Sequence, residues 1–185
     1  MARRQTAGVL CLDKPKGVSS RDVVNIVAGL ARHNRVGHAG TLDPLATGVL
    51  VLCLGWATRL VPLLHLQPKR YRAVFRLGAT SDTDDVTGTV IESPGSRVPE
   101  LREIEDLLPR YTGSILQVPP TFSAIHTDGE RAYAKARRGE ATELAPRPVE
   151  VHALRLAAYD YPVLELDVEC GSGTYIRAIG RDLGR

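Results

Sequence analysis

Cysteine is scarce in this chain, and the few cysteines present are not spaced to act together. Three occur among 185 residues, at Cys11, Cys53 and Cys170. They are odd in number, far apart and include no C-x-x-C pair, which argues against a disulfide framework and a cysteine zinc site. We expect all three to pack as small apolar side chains in the core.

Long apolar runs are also missing. No segment approaches the roughly 20 consecutive apolar residues that a membrane-spanning helix needs. Residues 1–6 contain two arginines but no apolar signal-peptide core, so we expect a cytoplasmic protein with no membrane partner. The sequence has no P-loop, no G-x-G-x-x-G and no cluster of metal-ligand residues, and we expect neither a cofactor nor a metal.

The composition that remains is that of a globular domain with an uneven charge. Hydrophobic residues make up 43% and charged residues 24% of the chain, values that fit one ordinary domain. Residues 1–80 hold 12 Lys and Arg against 3 acids, whereas residues 81–185 hold 12 against 18. Twenty of the 24 basic residues are arginines, which suit bidentate phosphate contacts. Charge alone fits a polyanion partner and a merely solvated basic face equally well.

Apolar periodicity predicts both strands and helices. Residues 49–54 are uniformly apolar, which is typical of a central strand, and residues 71–77 alternate with period two, as in a half-buried strand. Further strands are predicted at 8–12, 149–159 and 162–170, and helices at about 57–66, 99–108 and 174–183. Most strands lack helical crossovers, so we predict an α+β fold with a mixed, mostly antiparallel sheet flanked by helices.

Two helix starts can be read from the sequence. Ser19 or Ser20 is predicted to cap a helix, and Pro99 is expected in the first turn of the 99–108 helix. The helix after the serines has six apolar residues predicted to form its buried stripe: Val23, Val24, Ile26, Val27, Leu30 and Ala31.

Residues 119–147 differ from the rest of the chain. Prolines stand at both ends, a turn is predicted at 127–129, and four basic residues follow: Arg131, Lys135, Arg137 and Arg138. We interpret this segment as an excursion from the core.

The most informative segment is the loop at 35–48, which holds three glycines and one proline in 14 residues. Pro44 disfavours a helical backbone at Asp43. A lone Asp-Pro pair more often caps a turn, but small neighbours could also hold a carboxylate at the edge of a pocket. Asp43 is therefore a candidate catalytic carboxylate.

Five blocks, in order along nearly the whole chain, resemble the TruB-type tRNA pseudouridine synthases. The run from Gly37 to Leu50 resembles the catalytic motif of that family, with Asp43 as its aspartate. The other blocks are Leu12–Gly17 with Ser19 and Ser20, Lys69-Arg70-Tyr71, Gln117–Pro120 with Ser123-Ala124-Ile125, and Gly173–Arg177. The resemblance implies the pseudouridine synthase fold, with 119–147 as a thumb-like insertion that grips RNA.

The resemblance also implies the activity, which is isomerisation of uridine to pseudouridine at position 55 in the T-loop of tRNA. This reaction needs no cofactor, and one carboxylate can either attack the nucleoside or assist elimination. A hydrolytic glycosidase would normally need a second carboxyl, and the sequence offers no second motif-borne acid.

The resemblance assigns roles to five further residues. Tyr71 would stack on the extruded base, with its phenol a candidate in proton transfer from C5, and Tyr175 would line the base pocket. Arg177 would pair with Asp43 and hold it ionised. His38 would contact RNA, and Lys14 would support the active-site loop.

The expected partner is tRNA, through its T-arm stem-loop, and we expect a monomer that requires no protein partner. Arg131, Lys135, Arg137 and Arg138 are weaker RNA-binding candidates. The family continues beyond this point into a C-terminal RNA-binding domain, which we expect this catalytic domain of residues 1–185 to lack. Two alternatives stay open: a catalytic subunit of an RNA-guided particle, and a truncated RNA-binding module with little turnover.

Overall fold

The structure, a computed structural model, describes residues 7–95, 97–127, 129–140 and 144–185, without the side chains of Thr127 and Arg131. The chain divides into two compact units, Met1–Gln67 and Pro68–Arg185. All described strand pairs are antiparallel, and helices accompany them in both units, so the predicted α+β class is confirmed. None of the helices in the described part is long and apolar enough to cross a membrane.

The first unit is built on a three-stranded sheet. Strands β1 (Gly8–Lys14), β2 (Val36–His38) and β3 (Gly48–Leu54) lie in the order β1-β3-β2. The uniformly apolar strand is therefore central, as predicted, and Leu50 and Leu52 are buried in the core of this unit. Cys53 is buried too, but Cys11 is exposed, so the prediction for Cys11 was wrong. Strand side chains alternate; Leu12 packs against the core and Cys11 faces away from it.

Helix α1 (Ser20–Ala31) packs on this sheet. Ser19 is its N-cap and forms a reciprocal capping box with Asp22, which satisfies two backbone donors of the first turn. Ile26 and Leu30 are 56% and 81% exposed, so the predicted stripe of six buried residues was too wide. On a helix with 100° between residues they fall at one edge of that stripe, and the core packs against its other side.

The helix predicted at 57–66 is broken into two pieces. A 3₁₀ helix runs from Gly55 to Leu60, and α2 follows at Val61–His65. Pro62 explains the break, because proline has no N–H to donate to the preceding turn and its ring crowds that turn.

The second unit is built on a four-stranded sheet with several small additions. Strands β4 (Lys69–Arg76), β7 (Gly113–Gln117), β10 (Arg147–Asp160) and β11 (Val163–Cys170) lie in the order β4-β11-β10-β7. Two short hairpins accompany them, formed by β5 (Ala79–Ser81) with β6 (Val90–Glu92) and by β8 (His126–Thr127) with β9 (Glu130–Arg131).

Three α-helices and one 3₁₀ helix belong to the described part of the second unit: α3 (Leu101–Leu107), the 3₁₀ helix Leu108–Tyr111, α4 (Ala132–Arg137) and α5 (Ile176–Leu183). Glu100 is the N-cap of α3, so Pro99 precedes the helix and does not lie in its first turn as predicted. An N-cap residue has extended backbone angles, and Glu100 caps its own helix with Glu103.

The core of the second unit lies on one face of its sheet. Alternate residues of β11, such as Leu164 and Leu166, are buried together with Cys170 and with Ile179 from α5. Gly180 lies against the ring of Phe75, where any Cβ would overlap that ring. Close packing of α5 on β4 therefore requires glycine at this position.

Candidate active site

Asp43 lies in the loop between β2 and β3 of the first unit, and its side chain is half-buried. The backbone turns directly after it, with the Asp43 carbonyl accepting from Ala46 N–H at 3.0 Å. Pro44 occupies the second position of this turn, where its fixed φ is favourable. Gly48 opens β3 with φ +112°, a conformation that residues with a Cβ rarely adopt.

A buried serine holds the backbone immediately before Asp43. Ser20 Oγ accepts from Leu42 N–H at 2.9 Å and donates to Leu42 C=O at 3.0 Å. Both polar groups of Leu42 are therefore satisfied by one hydroxyl from the first turn of α1. The sequence indicated Ser20 as a possible cap and as part of one family block, but it did not indicate the contact with Leu42, because the pairing spans 22 residues and leaves no local pattern.

Lys14 and Gly17 hold the backbone immediately after Asp43. The carbonyl of Pro44 accepts from Gly17 N–H at 2.7 Å and from Lys14 Nζ at 3.3 Å. Lys14 is completely buried at the end of β1 and also donates to the carbonyls of Pro15 and Val18. Three acceptors thus match the three ammonium protons. Burial lowers the pKa of Lys14, and the nearby Asp43 carboxylate opposes this shift.

His38 is the last residue of β2, in the same unit. Its imidazole is half-buried, and Nδ1 is enclosed without a hydrogen-bond partner among the described residues. Burial lowers the pKa of His38, and the positive charge of Arg21 lowers it further, whereas the backbone of Gly40 acts in the opposite direction. The neutral imidazole therefore predominates at neutral pH and can offer one donor and one acceptor.

Tyr71 and Tyr175 both belong to the second unit. Tyr71 lies in β4 opposite Val168 of β11 and packs, half-buried, against the core cluster. Tyr175 is the N-cap residue of α5. The guanidinium carbon of Arg147 lies 5.4 Å from the centre of the Tyr175 ring, within the range of a cation–π contact.

Arg177 lies in the first turn of α5 with a side chain that is only 11% exposed. It donates to the carbonyls of Thr83 at 2.8 Å and Phe122 at 3.0 Å, and its Nε lies 3.7 Å from Asp85 Oδ2. Arg177 therefore joins the loop after β5 to the segment after β7. The position is not that of an ordinary surface arginine.

The carboxylate of Asp85 is held ionised by its surroundings. Burial raises the pKa of Asp85, but hydrogen bonds from Thr87 and Thr83 and the charge of Arg177 outweigh burial and lower it. Thr87 N–H and Thr83 Oγ1 each donate to Asp85 Oδ1 at 2.8 Å. The segment 83–85 thus helps to hold the guanidinium of Arg177 in place.

Arg181, one helical turn after Arg177, was not identified from the sequence. It donates to Asp84 at 2.9 Å, Asp182 at 2.8 Å and the carbonyl of Val118 at 2.7 Å. Its i+4 spacing from Arg177 and the acids at 82–85 were the available signals. Within residues 7–95, 97–127, 129–140 and 144–185, no three His, Cys, Asp or Glu are grouped so as to hold a metal ion.

The basic residues of the 119–147 segment have different surroundings. Arg137 packs over the ring of Tyr133 at 5.5 Å. Arg138 forms ion pairs with Glu130 at 2.6 Å and Glu140 at 2.7 Å, which raise its pKa further. Lys135 is half-buried on α4, and the side chain of Arg131 lies outside the described residues.

Comparison with known proteins identifies relatives of this chain. Residues 29–176 match the TruB family pseudouridylate synthase N-terminal domain. The chain is 47% identical over 184 residues to "tRNA pseudouridine synthase B" of Nitrobacter winogradskyi, covering 99% of this chain and 51% of that protein. It is 48% identical over 186 residues to the protein of the same name from Bradyrhizobium diazoefficiens, covering 99% and 53%. The chain spans about half the length of these curated relatives.

Solved structures share the fold. A crystal structure of a Cbf5–Nop10–Gar1 complex contains a chain that is 28% identical, with a TM-score of 0.71, covering 97% of this chain and 44% of that one. A structure of an H/ACA RNP bound to a substrate RNA containing 2′-deoxyuridine gives 26% identity and a TM-score of 0.67, covering 96% and 42%. The fold implied by the sequence motifs is thereby confirmed.

Proposed function

Because the chain belongs to the TruB family of pseudouridylate synthases, we propose that it isomerises uridine to pseudouridine at position 55 in the T-loop of tRNA. The observation that carries this proposal is the Asp43 loop, in which backbone contacts fix the residues on both sides of one carboxylate. The names of the curated relatives support tRNA as the substrate.

Asp43 is the proposed catalytic residue. The reaction breaks the bond between C1′ of the ribose and N1 of the base, rotates the base, and forms a bond between C1′ and C5. The C5 proton leaves and N1 gains a proton, so no redox step is needed. The Asp43 carboxylate either attacks the nucleoside or assists its elimination. The anchors at Leu42 and Pro44 fix the backbone that carries this carboxylate before the substrate arrives, which lowers the cost of reaching the reactive geometry.

The second unit supplies the proposed contacts to the base. Tyr71 stacks on the extruded uracil, and its phenol takes part in proton transfer from C5. Tyr175 lines the base pocket. Arg177 binds on the substrate side, and its contacts with Thr83, Phe122 and Asp85 make it a rigid cation. A planar guanidinium held from several directions loses little further freedom when substrate binds.

Other residues are proposed to contact the RNA around the reacting base or to support the active-site loop. His38 contacts RNA as a neutral imidazole, and Lys14 supports the loop that carries Asp43 by donating to the Pro44 carbonyl. The insertion 119–147 grips the T-arm through Lys135 and Arg137, with Arg131 as a further candidate. Arg138 is a weaker candidate, because Glu130 and Glu140 already neutralise it. We propose that the protein acts in the cytoplasm as a monomer and needs no protein partner.

The alternative of an RNA-guided particle has support from the solved structures of a Cbf5–Nop10–Gar1 complex and of an H/ACA RNP bound to a substrate RNA. Those chains are 26% and 28% identical to this one, compared with 47% and 48% for the tRNA pseudouridine synthase B proteins. The higher identity supports the tRNA enzyme. An RNA-binding module with little turnover is the third possibility, and it differs from the first two by making no product.

The test is incubation of the chain alone with a tRNA transcript, followed by carbodiimide treatment and primer extension to map pseudouridine. We expect one new stop, one nucleotide to the 3′ side of position 55, and none in a transcript with cytidine at that position. The T-arm stem-loop alone should also be modified, because specific RNA recognition targets splayed loop bases on a positioned stem. Product formed only with an added guide RNA would contradict the proposal, as would RNA binding with no product.

A further inference from the structure

Tyr175 is held through its main chain by a buried glutamine. Gln117, the last residue of β7, is 1% exposed. Its Oε1 accepts from Tyr175 N–H at 2.8 Å, and its Nε2 donates to Tyr175 C=O at 3.1 Å. One side-chain amide therefore occupies both backbone polar groups of a single residue, as a neighbouring strand would.

This arrangement acts at the start of α5. The Tyr175 carbonyl also accepts from Ile179 N–H at 3.2 Å, which is the first backbone bond of the helix. Fixing Tyr175 therefore fixes the direction in which α5 begins. Arg177 follows two residues later in the first turn of α5, so the same contact positions the backbone from which its side chain extends.

The ring of Tyr175 is held separately. Arg147, opposite Gln117 in the β10–β7 register, lies over the ring and donates to the Gly173 carbonyl at 3.4 Å. The main chain and the ring of Tyr175 are thus positioned by two residues that face each other across one strand pair. An apolar side chain at 117 would fill the same space and avoid the cost of burying an amide. The two hydrogen bonds are what an apolar side chain could not supply.

We infer that Gln117 is a positioning residue for pseudouridine formation, holding Tyr175 and the first turn of α5 in the geometry that the reacting base requires. The inference rests on the proposed function. Gln117 is not expected to touch the RNA, because its side chain is buried and both ends of its amide are occupied.

The first test replaces Gln117 by Met, which keeps the length of the side chain and removes both hydrogen bonds. We expect the single-turnover rate at saturating tRNA to fall by about 10- to 100-fold, while the dissociation constant for tRNA stays close to that of the parent chain. Val149→Ala is the control, since Val149 is buried in the neighbouring strand β10. At matched loss of melting temperature, the control should keep its rate.

The second test uses Gln117→Glu and does not depend on Gln117→Met folding. The introduced carboxyl group, when protonated, can still accept from Tyr175 N–H and donate to Tyr175 C=O, whereas its ionised form can only accept. Burial raises the pKa of such a carboxyl group, so protonation is accessible in the assay range. The rate of this variant relative to the parent chain should therefore be near one at about pH 5.5 and fall steadily toward about pH 8.5.

The outcomes separate the two proposals. If the parent chain makes no pseudouridine, the proposed function fails. If the parent chain is active while Gln117→Met keeps its rate, or the relative rate of Gln117→Glu does not change with pH, only the positioning role of Gln117 is wrong. A rate loss shared equally by Val149→Ala would show that Gln117 matters only for stability.

Discussion

Replacing Ser20 by Ala should slow catalysis far more than its effect on stability suggests. Ser20 is 3% exposed, and its hydroxyl makes two hydrogen bonds, at 2.9 and 3.0 Å, to the backbone of Leu42, the residue before Asp43. Each such bond contributes about 0.5–1.5 kcal/mol net. The unfolding free energy should therefore fall by about 1–3 kcal/mol.

The matched control is Ser19→Ala, one residue earlier. The Ser19 hydroxyl caps the same helix through Asp22, accepting from its N–H and donating to its carboxylate, and loss of an N-cap typically costs about 1 kcal/mol. Both variants thus remove a hydroxyl at the start of the same helix, at a cost of about 1 kcal/mol for Ser19→Ala and about 1–3 kcal/mol for Ser20→Ala. Only Ser20→Ala frees the backbone that carries Asp43, and displacement of a reacting group by about 1 Å can reduce the rate by about 100-fold.

The assay combines urea unfolding with single-turnover conversion at saturating tRNA. We expect Ser20→Ala to lose at least about tenfold in rate and Ser19→Ala to stay near the parent rate. Equal rates in the two variants would show that the loop holds Asp43 without Ser20, and the account of the anchored carboxylate would be wrong.

Three further predictions concern the second unit. Tyr71→Phe should bind tRNA normally but convert it slowly, and Tyr71→Ala should lose both pocket filling and conversion; equal single-turnover rates for Phe and Tyr would leave stacking as the only role. The pKa of Asp85 is lowered in the folded state, so the ionised carboxylate stabilises the fold fully at pH values above its unfolded-state pKa near 3.8, and this stabilisation is lost as the pH falls below that value. In acid unfolding, the difference in unfolding free energy between the parent chain and Asp85→Asn should therefore narrow below that pH, and a constant difference would contradict this. Gly180→Ala should lower the unfolding free energy by about 1–3 kcal/mol in a denaturant titration, because the added Cβ would overlap Phe75. The control Gly184→Ala should change the unfolding free energy little, since a Cβ there meets only ordinary contacts, and equal effects of the two variants would contradict the packing argument.

Local sequence patterns predicted most helices and strands, because the spacing of apolar residues in a segment reflects which side of that segment is buried. The apolar run 49–54 is a central strand, and the alternation in 71–77 is strand β4. Ser19 caps α1 as one of two candidates. The failures have local causes as well: Pro62 breaks a predicted helix, and the core packs against only part of the predicted stripe of α1.

The contacts that organise the candidate site could not be predicted in this way. Ser20 meets Leu42 across 22 residues and Gln117 meets Tyr175 across 58. In both pairs a buried polar side chain satisfies the backbone groups of a residue far along the chain. The spacing of apolar residues does not indicate which backbone groups these are. Arg181 is a similar case, because its partner Asp84 lies on a loop far earlier in the chain. Sequence motifs marked the residues proposed for chemistry and Lys14 as a support of the loop, whereas the partners of Ser20, Gln117 and Arg181 became visible only in the fold.

The central claim is that one carboxylate, Asp43, carries the reaction. The direct measurement is single-turnover conversion of tRNA by Asp43→Asn, nearly isosteric with the parent chain, together with its tRNA dissociation constant and melting temperature. We expect no detectable pseudouridine at position 55, with binding and folding close to those of the parent. Product formation at the parent rate would remove Asp43 from the mechanism and contradict the account.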